Sequence, residues 1–143
     1  MTEDLLKGLW GILAGDTAVR GSVATYSPPG GGSPRPAIFT NLAPRGATMP
    51  YIIIGGSAVP EETPASERMA CTIDTYSKSG SAAISLRIGQ RIEKIIDFKT
   101  PAISGVTMLG IQREASGMVP EDDDEIQHLH QQFLIRYCRD DLY

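Results

Sequence analysis

Two histidines stand one residue apart near the end of the chain, His128 and His130. On a strand, alternate side chains share a face, so both rings would point the same way. Two imidazoles and a carboxylate on one face can hold a metal ion. The acidic run Asp122-Asp123-Asp124-Glu125 lies just upstream and could supply that carboxylate. A small hydrolase or other metal-dependent enzyme is the chemistry this group would support. The spacing alone is weak evidence, and two exposed or edge-strand histidines account for it with less. The acidic run lacks the alternating ligands and central glycine of an EF-hand loop, so it reads as a solvated loop. The expectation is no metal and no cofactor.

Other catalytic patterns are missing from the sequence. Gly30-Gly31-Gly32-Ser33 is followed by no Gly-Lys-Ser/Thr and preceded by no strand, so it is no phosphate loop. No serine sits in a Gly-x-Ser-x-Gly elbow. Cys71 and Cys138 lie far apart in apolar, strand-like runs. In a reducing compartment they read as small core residues rather than a disulfide or metal pair. The chain therefore reads as non-enzymatic, with no catalytic residue assigned.

Composition narrows the class further. The 143 residues suit one domain with a real core. Hydrophobic residues make up 41% and charged residues 21%, near ordinary globular usage. A net charge of −4 argues against a nucleic-acid binder held by phosphate contacts. Met1-Thr2-Glu3-Asp4 is acidic where a signal peptide would be basic. No segment approaches the roughly 20 apolar residues of a membrane span. A soluble chain that stays in the cytosol is expected.

The elements that must position these residues follow from periodicity. Leu5, Leu6, Leu9, Trp10, Ile12 and Leu13 have helical spacing over residues 3–14. Thr2 and Asp4 suit its start, and Asp16 can cap a short second turn through Val19. Residues 27–37, rich in proline and glycine, can form neither a helix nor a central strand. They read as a flexible loop, or as one that orders against a partner. Ile38–Thr40 fits a short edge strand. Pro50 opens a strand whose Tyr51–Ile54 run suggests burial on both faces, with Gly55-Gly56 as its end. Residues 57–67 read as a surface loop.

Met69, Cys71 and Ile73 alternate with Thr72, Asp74 and Tyr76, giving a strand with one core face. Ser79-Gly80-Ser81 offers a turn and a hydroxyl cap. Ile84, Ile88, Ile92, Ile95 and Ile96 then form one helical stripe. Burying each fully contributes roughly 1.5–3 kcal/mol, which makes the stripe the keystone of the core. Pro101 closes that region. Residues 106–113 fit a third long strand, 117–125 an acidic loop, and 131–139 a last strand. On that strand Phe133, Ile135 and Tyr137 oppose Leu134 and Cys138.

The order of these segments resembles the small tail-completion and tail-terminator proteins of long-tailed bacteriophages. Those proteins have a leucine/alanine-rich first helix and a Pro-Tyr-aliphatic strand like Pro50–Gly55. A strand ending in Asp-x-aromatic-Ser, here Asp74-Thr75-Tyr76-Ser77, leads into their long helix. They close on a His-x-x-aliphatic-x-basic-aromatic strand, like His130–Tyr137. The similarity runs from about Leu5 onward.

The resemblance implies an α+β single domain over residues 1–143. An antiparallel or mixed sheet of about four strands would pack against two main helices, with loops near 27–37 and 117–125. It implies a structural virion protein, assembled in the host cytoplasm. A homo-hexameric ring of it would cap the tail tube, end elongation and meet the head or neck. Its partners would be further copies of itself, the tail tube protein and a head-completion (neck) protein. DNA would pass through the ring without specific binding, and no membrane is involved. Candidate interface residues are Trp10, Pro34, Arg35, Asp122, Asp123, Asp124 and Tyr143. A head-completion (connector) protein of the same virion is the nearest alternative. A metal-dependent enzyme using His128 and His130, or a small-molecule-binding module, lies further off.

Overall fold

The leucine stripe at the start forms the expected helix. In a computed structural model, which describes residues 2–59, 66–78 and 82–142, α1 spans Thr2–Gly15 and buries Leu5, Leu6, Leu9 and Leu13. Thr2 is already its first residue, with Glu3 and Asp4 in the first turn. α2 (Thr17–Ser22) begins at Asp16, whose carboxylate accepts from the Val19 amide at 3.0 Å, as expected.

A two-stranded ribbon follows, β1 (Thr25–Tyr26) against β2 (Arg35–Pro36). The Pro/Gly segment between them contributes only the β2 end. β3 (Ile38–Thr40) is the expected edge strand, and it lies parallel to β4 (Tyr51–Val59). β5 (Glu67–Lys78), β6 (Val106–Val119) and β7 (Ile126–Arg139) complete a mixed five-stranded sheet in the order β3-β4-β5-β7-β6. Between β5 and β6 runs α3 (Ala83–Ile96). The chain is thus α+β. α1 packs on β3 and β4, α3 packs on β5 and β7, and α2 touches both helices. Ile52, Ile54, Met69, Cys71, Ile73, Ile88, Ile92, Phe133 and Ile135 fill the layer between.

Several local expectations are corrected. Gly55-Gly56 does not end β4. A Cβ on Gly55 would come within 2.9 Å of Thr72 Oγ1, and one on Gly56 within 2.9 Å of Met69 Sδ. These glycines admit close neighbours inside a strand, a different use from punctuation. The loop expected over 57–67 therefore starts after Val59, and Pro60 and Pro64 lie outside the described residues. Tyr51 and Ile53 are only half-buried, so β4 has one core face rather than two.

β6 runs to Val119 instead of Arg113, and β7 starts at Ile126 instead of Gln131. The acidic loop contracts to 120–125. Residues 112–119 are exposed on both faces, so no hydrophobic alternation marked them. Their pairing comes from β7, with Val119 opposite His128.

The α3 stripe is also shorter than expected. Ile88, Ile92 and Ile96 are buried, Ile95 is half-buried, and Ile84 is exposed. Ser85 takes the buried place in the first turn, its hydroxyl 2.7 Å from that of Ser77. Ser79–Ser81 lie outside the described residues, and the N-cap is Ala82 with no side-chain cap bond. The helix stops at Ile96, before Pro101. No helix among the described residues is long and apolar enough to cross a membrane.

Candidate functional site

Two surfaces gather the residues with binding or chemical potential. The first wraps around the β3 edge. Among the described residues β3 has a sheet neighbour on one side only, which leaves carbonyls facing outward. The Trp10 indole N–H donates to one of them, Ile38 O, at 2.7 Å. Trp10 is half-buried and, with Lys7, Tyr26, Arg35, Phe39 and Leu42, lines a groove of about 480 Å³. The Arg35 guanidinium sits 5.8 Å from the centre of the Tyr26 ring. Tyr26 meets Phe39 edge to face, with ring centres 5.3 Å apart. Leu42 is 78% exposed at the rim. The groove thus combines an aromatic floor, an exposed leucine and two cations, of which Lys7 is paired with Glu3 at 3.1 Å.

The second surface lies on the sheet face that the helices leave open. Asp74 on β5 and His130 on β7 are register partners, and so are Tyr76 and His128. The pleat puts all four on this face. His128 Nε2 lies 2.6 Å and His130 Nδ1 2.7 Å from the same oxygen, Asp74 Oδ1. His128 Nδ1 lies 2.7 Å from Glu121 Oε1. The Tyr76 ring stacks on His128, centres 4.2 Å apart and planes 16° apart. Burial, and then the charges of Asp74 and Glu121, push the Tyr76 hydroxyl up to about 12. Burial and the Glu121 charge raise Tyr51 as well. Around Tyr51 and Tyr76 the face is therefore partly dry, and the charges acting there are the carboxylates of Asp74 and Glu121.

The two histidines do share a face, as their spacing implies. The carboxylate beside both histidines is Asp74, with Glu121 against His128, and not one of Asp122 to Glu125. Asp122, Asp123 and Asp124 are exposed at the β6–β7 turn, where Asp123 Oδ1 accepts from the Glu125 amide at 2.9 Å. Of the expected interface residues, Trp10 and Arg35 meet in the groove and Pro34 is exposed next to Arg35 in sequence. Tyr143 lies outside the described residues. Lys7, Tyr26, Phe39 and Leu42 were not anticipated, and neither was Asp74 as a partner of the histidines. Only Asp74 left a signal, through its alternation with Thr72 and Tyr76.

The cysteines differ from the expectation in one respect. Neither forms a disulfide, but only Cys71 is fully buried, while Cys138 is half-buried.

Comparison with known proteins adds a family. The model of the family Tail completion protein gp17 matches residues 7–138, nearly the whole chain. The chain belongs to that family. Membership makes it a structural protein of the phage tail with a role in virion assembly. No curated protein matches it. Among solved structures, a chain from the "Virion of native gene transfer agent (GTA) particle" is similar, with a TM-score of 0.74 at 13% identity. The alignment covers 94% of each chain. At that identity the likeness bears on the fold alone.

Proposed function

We propose that this tail completion protein assembles as a ring, six copies being the expected number, on the head-proximal end of the tail tube. There it ends elongation and provides the surface that meets the head or neck. The observation that carries the reading is the family match over residues 7–138. The surfaces described above support it. A ring closes through head-to-tail interfaces, which join two different patches of the same chain. This chain has two patches of opposite sign. One is the groove with Lys7 and Arg35 at the β3 edge; the other is the acidic β6–β7 turn with Asp122, Asp123 and Asp124. Such complementarity fixes register and partner choice. Trp10, Tyr26 and Phe39 supply the aromatic surface that dominates interface energetics.

The test is the mass of the untagged protein in solution over a concentration series, alone and with the tail tube protein. The proposal expects a species near six times the 15.4 kDa chain mass, in one or both conditions. A chain that stays monomeric in both contradicts the ring.

A further inference from the structure

We propose that His128, His130 and Asp74 form a binding site for a divalent transition-metal ion of the zinc type on the open face of the sheet. Their ligand atoms, one from each residue, lie within 4.8 Å of one another. They come from adjacent strands held in register over Glu67–Lys78, so the backbone fixes their starting points. Zinc bonds of about 2.0–2.1 Å in tetrahedral geometry place ligand atoms roughly 3.3 Å apart. The two nitrogens sit 2.6 and 2.7 Å from Asp74 Oδ1. The cluster must therefore open by several tenths of an ångström, which small rotations about the terminal side-chain torsions supply.

The donor set selects the metal class. Two imidazole nitrogens and one carboxylate suit zinc and its first-row neighbours, whereas calcium and magnesium require mostly oxygen. Glu121 stands where such a site is normally supported from behind. Its carboxylate lies against His128 Nδ1, which leaves Nε2 as the ligand and fixes the ring plane. Tyr76 holds the other axis of that ring by stacking. Two carboxylates close to a partly dry face favour a cation there. His130 is 37% exposed, which gives the ion an entrance and leaves room for water in the fourth position.

The site shares no residue with the lining of the groove at the β3 edge, and its existence does not depend on the ring. The experiment uses the untagged full chain, stripped with chelator and titrated with zinc chloride by calorimetry. Cobalt(II) then reports coordination through its visible absorption. One equivalent of zinc per chain is expected, with a tetrahedral-type cobalt spectrum. His130→Ala should weaken zinc binding at least tenfold while the far-ultraviolet dichroism stays unchanged. Asp74→Asn should do the same. Glu121→Gln should keep the stoichiometry and weaken affinity about 10- to 100-fold. Absence of saturable uptake by the wild-type chain would overturn the proposal. So would uptake that survives both His130→Ala and Asp74→Asn, or uptake abolished by Cys138→Ser, which would place the zinc on a thiol.

Discussion

Asp16 grips Arg91 at two points across 75 positions of sequence: Arg91 Nε donates to Oδ2 at 3.0 Å and Nη2 donates to Oδ1 at 2.7 Å. The same Oδ2 accepts the Val19 amide at the start of α2. One carboxylate therefore caps a six-residue helix and ties it to the long helix over the other half of the sheet. So short a helix has little stability of its own, and this link explains why α2 forms where it does.

Replacing Asp16 with Ala should lower stability by about 1–2 kcal/mol, mainly through loss of the cap. That corresponds to a melting temperature lower by several degrees for a chain of this size. The sign with pH follows from the pair. The hydrogen bonds from Arg91 hold the Asp16 carboxyl below its ordinary value of 3.8. Its contribution is complete above that value and is lost as pH falls through the lower folded value. The gap in melting temperature between wild type and Asp16→Ala should be constant from about pH 5 to 7 and shrink below about pH 4.

At Gly89 α3 lies close against β7. A Cβ there would collide with Leu129 Cδ2 and crowd Gln131 Nε2 at 3.2 Å. The Gln131 amide already donates to Gly89 O at 3.0 Å. Gly89→Ala, which ordinarily stabilises an exposed helix, should here cost about 1–3 kcal/mol by overpacking. A shift of the urea midpoint to lower concentration checks this; an unchanged or higher midpoint would mean the helix can move away.

The groove can be tested apart from the fold. Leu42→Asp and Arg35→Glu change exposed side chains, so melting should move by no more than about 0.5 kcal/mol in stability. Assembly should drop sharply, because one substitution places a charge at an apolar rim and the other reverses a sign. Sedimentation of each variant with tail tubes separates the two effects. Loss of binding in a fully folded variant is the expected result.

Cys71 is buried in the core, and that burial, with a smaller effect from the Asp74 charge, pushes its thiol up to about 12. The thiolate is the reactive form. At pH 8 Cys71 should resist alkylation in the native chain and react fully once unfolded. Mass spectrometry after a timed iodoacetamide pulse would reveal native labelling if the core is looser than described.

How much of this was legible in the sequence varied with the physics of each element. The Leu5–Leu13 stripe and the alternation around Met69, Cys71 and Ile73 were readable, because periodic burial leaves a periodic pattern. Asp16 as a cap was readable from one residue type at a helix start. The outer half of β6 was not, since exposed strand residues carry no such pattern. Ile84 was misplaced because α3 buries the small Ser85 against Ser77, a pairing between elements. The His128–Asp74–His130 group was half legible. The shared face came from spacing, but the carboxylate lies 54 and 56 positions away and arrives only through strand register.

The most direct test of the proposed capping role is electron microscopy of tail tubes polymerised from purified tail tube protein with and without this chain. The account expects a disc of density at one end of each tube, an axial hole through it, and no growth from that end when more tube protein is added. Tubes that bear no added density and keep elongating at both ends would contradict it.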